Sequence, residues 1–232
     1  MRALRGWLAG ALLEQVPRDH RQSPAAFRRR RIVVAVVLVL GSVLLGFSLA
    51  VRPGDRAFYP LTGALAAVWV LGGLASGPLH LGRIDRRGGL RRPVLSPILI
   101  GLVVAAVFVA GALVVREIGP LRDYTDTVLA HARRGSLPLL ALLTLLNGVT
   151  EEIFFRGALY AAIGLRYPVV ISTLVYAVVT VATGNPMLVF AALTLGLVLG
   201  LQRRASGGVL APILTHVTWS AAMLFVLPPL FA

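Results

Sequence analysis

From Leu137 to Ala232 the chain is almost continuously apolar, broken only by short turn signals. A helix needs roughly 20 apolar residues to cross a hydrocarbon core of about 30 Å, and only helices or closed barrels satisfy their backbone groups there. The breaks are Arg166-Tyr167-Pro168, Gly184-Asn185-Pro186, and Gln202-Arg203-Arg204 followed by Gly207-Gly208. Gly and Pro punctuation of this kind divides the run into four predicted helices, over about 137–164, 168–183, 187–201 and 209–231. Three further apolar runs precede it: Ile32–Val51, directly after Arg28 to Arg31, then Tyr59–Leu79 and Val94–Val115. The predicted fold is an all-α, polytopic transmembrane bundle of about seven spans.

Four segments follow. Residues 1–31 form a basic N-terminal segment, with a short amphipathic helix around Trp7–Leu13, and residues 32–115 hold three accessory transmembrane helices. Residues 116–136, with three acids and four Arg, make the one substantial extramembrane connection, long enough for an interfacial helix. Residues 137–232 are expected to pack as a four-helix membrane core.

The charge inventory narrows the chemistry. All 23 basic residues are Arg; Lys and Cys are both absent. Disulfides, thiolate nucleophiles and Cys-ligated metals are therefore excluded, as are a Schiff base, a Ser–Lys dyad and a Walker lysine. A net charge of +14 could suggest nucleic acid, but the Arg residues cluster between apolar spans, so no nucleic-acid partner is expected. Counted by side, alternate connections carry sixteen Arg against six. Basic loops stay inside, which predicts an integral cell-membrane protein with a cytoplasmic N-terminus. Span 1 reads as a retained helix rather than a cleaved signal.

Within residues 137–232 the only acids are Glu151 and Glu152, and both lie inside an apolar helix with Arg156. A central charge costs roughly 2.5–3.5 kcal/mol on insertion scales. Glu152 and Arg156 stand at i,i+4 and could neutralise each other as a structural pair, but this leaves Glu151 without a local partner. Intramembrane ionisable residues mark function by default. A zinc peptidase would need HExxH, a rhomboid-like serine site G-x-S-x-G, and an aspartyl dyad two intramembrane Asp; the sequence has none of these in its spans. A glutamate-activated water, with imidazole or amide donors from neighbouring helices, remains open. His216 is the one His of the last four spans, and Ser220 lies one turn on, on the same face. Gly196 and Gly200 form a GxxxG that lets helices approach closely. A transporter reading predicts two repeated halves, and no duplicated motif is found.

Glu151-Glu152-Ile153-Phe154-Phe155-Arg156-Gly157 resembles the EExxxR motif of the CAAX-protease and bacteriocin-processing (abortive-infection) family of intramembrane proteases. Gly196-x-x-x-Gly200, a basic turn, and Leu210 to His216 resemble that family's third block. The resemblance covers about residues 137–225. It implies that Glu151 is the base, that Glu152 and Arg156 support the site, and that His216 stabilises the oxyanion, with no cofactor and no metal. Two positions depart from the pattern. Thr180 stands where the second block, FxxxH, has its His, matched here by Tyr176 to Thr180, and Ser220 replaces the Asn of HxxxN. The expected function is a glutamate-type intramembrane endopeptidase, of reduced activity, acting on a membrane-associated protein or peptide in the lipid bilayer. The alternative is a catalytically degenerate member that serves as a membrane binding or chaperone-like protein.

Overall fold

Ser23 caps the first long helix: its Oγ accepts from the Ala26 N–H at 3.2 Å, and Pro24 supplies the preset φ of a first helical residue. The computed structural model describes residues 2–85 and 88–232. Met1, Arg86 and Arg87, part of the basic N-terminal segment and of the Arg-rich 80–93 loop, lie outside the described residues. In chain order the helices are α1 (Arg2–Leu12), α2 (Pro24–Ala50), α3 (Phe58–Ser76), α4 (Leu95–Val115) and α5 (Gly119–Arg134). They continue as α6 (Leu137–Ile163), α7 (Pro168–Val181), α8 (Pro186–Ser206) and α9 (Leu210–Leu230). A two-residue antiparallel pair, Ile84–Asp85 with Leu90–Arg91, is the one β ladder among the described residues.

Six of these helices are long and apolar enough to cross a membrane; α7, with 14 residues, is about 21 Å long and falls short of a full span. The protein is an all-α polytopic membrane protein of about seven spans. Large apolar side chains such as Val39, Phe47, Val107 and Val178 stay exposed on its flanks, as lipid-facing residues do. The breaks at Arg166-Tyr167-Pro168, Gly184-Asn185-Pro186 and Gly207-Gly208 fall at helix boundaries for local reasons, whereas Gln202, Arg203 and Arg204, expected in a turn, continue α8 as far as Ser206. Gly184 takes φ +66°, and the Asn185 side-chain oxygen accepts from Met187 and Leu188 N–H to start α8. Gly207, at φ +71°, ends that helix by donating to the Arg203 carbonyl.

The first three spans flank the last four on both sides. α3 runs along α2 and α6, and α4 lies against α9. Gly41 lets the Trp69 ring press onto α2, so a methyl there would collide with the indole. Trp69, Phe154, Phe155, Val34 and Val37 then form the core between α2, α3 and α6. The amphipathic α5 lies outside the spans, and the Asn185 amide donates to its Tyr124 carbonyl at 2.7 Å. At the opposite, Arg-rich end, backbone bonds tie three segments together. Val16 N–H donates to Ala205 O, Arg83 N–H to Ser206 O and Val209 N–H to His80 O.

Candidate active site

α6 carries the two glutamates, and the helix changes pitch directly after them. Ile153–Leu159 form a π-helical turn, closed by a bond from the Tyr160 N–H to the Phe155 carbonyl five residues back. Widened turns of this kind are frequent at functional sites. The Arg156 carbonyl in this segment also accepts from Arg203 Nε at 2.7 Å, tying the π turn to α8.

Glu152 and Arg156 have no exposed surface. Glu152 Oε1 accepts from Arg156 Nη1 at 2.8 Å and contacts His216 Nδ1 at 2.8 Å. Arg156 Nη2 donates to the Gly196 carbonyl at 3.2 Å, and its guanidinium lies 4.9 Å over the Tyr176 ring. Gly196 is thus more than a packing residue, since its bare Cα lets the guanidinium reach the backbone of α8. With Glu152 paired to an arginine, its carboxylate is the acceptor, so His216 donates through Nδ1. That bond orients the imidazole and leaves Nε2 as its remaining polar atom.

Glu151 faces the other way, into a cavity of about 290 Å³ between α2, α3, α5, α6, α7, α8 and α9. Tyr176 donates its hydroxyl to Glu151 Oε2 at 2.6 Å. His216, Thr180 and Ser220 line the same cavity, while Glu152 and Arg156 stand behind its wall. Thr180 Oγ1 donates to the Tyr176 carbonyl at 2.8 Å, so its proton is committed to its own helix. Three buried polar atoms on residues of the cavity wall, Thr62 Oγ1, Asn147 Oδ1 and Trp219 Nε1, have no protein partner among the described residues. Buried polar groups are nearly always paired, so this wall suits an occupant that brings donors and acceptors of its own. Among the described residues, no group of three His, Asp or Glu stands together as a metal site.

Tyr176, Asn147, Thr62 and Trp219 were not singled out as site residues from the sequence. One of them carried a legible signal. Tyr176 occupies the aromatic position of the second block, and its extra hydroxyl in an apolar helix calls for a buried partner. Asn147 precedes Glu151 by one helical turn, a relation that polar spacing alone did not separate from packing. The walls contributed by Leu45, Ser48, Thr62 and Leu65 come from the accessory spans, which no motif connects to the site.

Residues 133–222 match the family model described as Rce1-like, type II CAAX prenyl endopeptidase Rce1-like. Neither a curated protein nor a solved structure matches the chain. The match contains the glutamate pair, Arg156, Thr180, His216 and Ser220, and it agrees with the resemblance carried by the EExxxR motif. The family's activity is, in general, endoproteolysis by CAAX-type membrane proteases. Over residues 133–222, less than half of its length, this integral membrane protein is thus similar to the Rce1-like type II CAAX prenyl endopeptidase family.

Proposed function

We propose that the protein is a glutamate-type intramembrane endopeptidase that hydrolyses a membrane-associated protein or peptide. The observation that carries this reading is the sharing of one intramembrane cavity by the Glu151 carboxylate and the His216 imidazole. Glu151 takes a proton from water as the water oxygen attacks the scissile carbonyl carbon. The C–N bond then breaks as that proton passes to the departing amine. His216, held through Nδ1 by Glu152, presents Nε2 to the oxyanion when the ring is protonated, and the carboxylate behind it offsets the ring's charge. Ser220 and the Trp219 indole N–H supply further donors on the same wall. The orphan polar atoms around the cavity support a peptide occupant, whose amide groups would pair with them. The sixteen-to-six distribution of Arg supports a cytoplasmic N-terminus, with the cavity's α2–α5 side toward the opposite face.

The test is cleavage of a membrane-anchored reporter peptide by the reconstituted protein. Glu151→Gln keeps the shape of the side chain and removes the proton acceptor, so cleavage is lost. Wild-type cleavage that persists unchanged in Glu151→Gln removes the mechanism. A second reading, a degenerate member that binds membrane segments without cutting them, is favoured by Thr180, whose hydroxyl cannot take a proton at neutral pH and already donates to its own helix. It predicts an inactive wild type whose capture of the reporter survives Glu151→Gln.

A further inference from the structure

A second polar cleft lies at the Arg-rich end of the bundle, beyond Arg156 and away from the glutamate cavity. Arg30 of α2 and Arg203 of α8 line it together with His20, Gln22 and His80. Arg30 has no exposed surface and Arg203 is 5% exposed. Neither is in an ion pair among the described residues. Arg30 is held by neutral acceptors, Gln22 Oε1 at 2.9 Å, Ser76 Oγ at 3.1 Å and the Pro78 carbonyl at 3.0 Å. Arg203 is held through Nε on the Arg156 carbonyl and by its stack 4.9 Å over the Tyr160 ring, which leaves its terminal nitrogens without a protein acceptor among the described residues.

The imidazoles of His20 and His80 stack beside them, with centroids 3.8 Å apart and planes within 4°. Burial, and after it the charges of His80, Arg203 and Arg18, hold the His20 imidazole down at about 4. Burial, then Arg203 and Arg30, hold His80 below its ordinary value. Asp19, the acid that acts on this cluster, is largely exposed and lies 3.7 Å from Arg21. Two sequestered guanidiniums and two stacked imidazoles therefore face one cleft that, among the described residues, no carboxylate lines. Buried charges persist where an opposite charge offsets them. Guanidinium groups pair preferentially with oxyanions, and basic pockets between spans at a membrane face bind anionic headgroups.

We propose that Arg30, Arg203, His20 and His80 form a binding site for a phosphate-class oxyanion, carried by a lipid headgroup or free in solution. The enclosed space is about 20 Å³, enough for one or two oxygens of the ligand, with the rest of it outside the cleft. The site is independent of the protease reading, because none of its four residues touches the glutamate cavity.

The test uses the full-length protein in an uncharged glycoside detergent, with thermal unfolding followed at constant ionic strength. One arm replaces chloride by inorganic phosphate. The other adds short-chain phosphatidic acid, with diacylglycerol of the same chain length as its control. Stabilisation by phosphate supports a free oxyanion, and stabilisation by phosphatidic acid alone supports the headgroup. No shift beyond chloride and diacylglycerol in both arms overturns the site. Arg203→Gln is expected to raise the Kd of the stabilising probe about tenfold or more. Because that change also removes the tie to the Arg156 carbonyl, a His20→Phe/His80→Phe variant, which keeps the stacked rings, provides a second reading and should shrink the anion-induced shift. Nuclear magnetic resonance of the imidazoles is the independent check. Saturating anion should move the His20 titration upward from about 4, and an unmoved titration overturns the placement.

Discussion

The Tyr176 hydroxyl donates to Glu151 Oε2 at 2.6 Å, joining α7 to the cavity face of α6. The same ring carries the Arg156 guanidinium on its face at 4.9 Å and packs against Phe155 at 4.6 Å. One aromatic residue thus fixes both the cavity-facing glutamate and the arginine behind it. Glu151 is left with one oxygen engaged and the other without a protein hydrogen bond among the described residues, the arrangement a positioned base needs.

Tyr176→Phe isolates that bond, since it keeps the ring under Arg156 and removes only the hydroxyl. Hydrogen bonds to charged groups contribute about 1.5–3 kcal/mol. A loss of roughly tenfold to a hundredfold in kcat is expected if the bond positions Glu151 for the chemical step. Steady-state kinetics on the reporter separates this from a change confined to KM, which would speak for substrate binding instead.

Glu152 and Arg156 should behave as a unit in unfolding experiments. Removing one partner of a fully buried pair leaves an uncompensated charge and costs about 3–5 kcal/mol. Glu152→Gln and Arg156→Gln should each lower the unfolding temperature markedly in detergent. A Glu152→Met/Arg156→Met double variant should recover much of that loss, although cleavage stays absent because His216 loses its Nδ1 partner. A double variant that loses the sum of the two single losses would show that the pair is not coupled.

Much of this architecture is legible because membrane physics leaves few choices. Apolar runs, Gly–Pro breaks and the displaced charges Glu151, Glu152 and Arg156 all carry local signals, and they coincide with the spans, with helix boundaries, with the buried Glu152 and Arg156 and with the cavity-lining Glu151. Two things are not local. The π turn at Ile153–Leu159 arises where Arg203 and the flanking helices hold α6, not from a recognisable residue pattern. The share of α2 and α3 in the cavity depends on the close approach allowed by Gly41 and Gly72, which reads from sequence only as small residues in a span. The shortness of α7, by contrast, is a local matter: the breaks before Pro168 and after Val181 bound it, and the expected 168–183 differs from Pro168–Val181 only at its C-terminal end.

Orientation can be checked with single cysteines, because the chain has none of its own. Arg92 and Arg204 are exposed at the Arg-rich end, and Asp123 is exposed on α5 at the other. In intact cells Arg92→Cys and Arg204→Cys should be shielded from an impermeant thiol reagent, while Asp123→Cys should react. The reverse pattern overturns the cytoplasmic N-terminus.

Acid should destabilise the fold through His131 on α5, which is outside the spans. Burial pushes its imidazole below the ordinary value, against the opposing effect of a backbone hydrogen bond to Leu49, and its ring stacks on Phe58 with centroids 4.7 Å apart. With the folded value below the unfolded one, near 6.5, the unfolded chain binds more protons in that window. Stability is therefore complete above the unfolded value and falls as pH drops below it. His20 and His80 act in the same direction, with less weight because they are more exposed. Unfolding temperatures measured between pH 7.5 and about 5 should decline in the wild type and decline less in His131→Phe, which keeps the stack. Parallel curves for the two proteins would remove His131 as the cause.

Thr180 lines the cavity with Glu151, so a longer titratable side chain there would project into the same space. If a missing imidazole limits the rate, Thr180→His should raise reporter cleavage within roughly 10²–10⁴-fold, the usual worth of one acid–base group. The substitution also releases the Tyr176 carbonyl, whose bond from Thr180 Oγ1 is lost, so part of the gain is offset by a looser α7. Thr180→Val separates the two effects, since it removes the hydroxyl without adding a base and should lower cleavage slightly or leave it unchanged. Glu151→Gln must abolish cleavage in the Thr180→His background as well, because an imidazole at position 180 supplements the glutamate and does not replace it. Metal chelators should change none of these rates, as the cavity offers Glu151 and His216 but no three-ligand group among the described residues. A Thr180→His protein that cleaves equally well without the Glu151 carboxylate would move the base from α6 to α7 and overturn the assignment of Glu151.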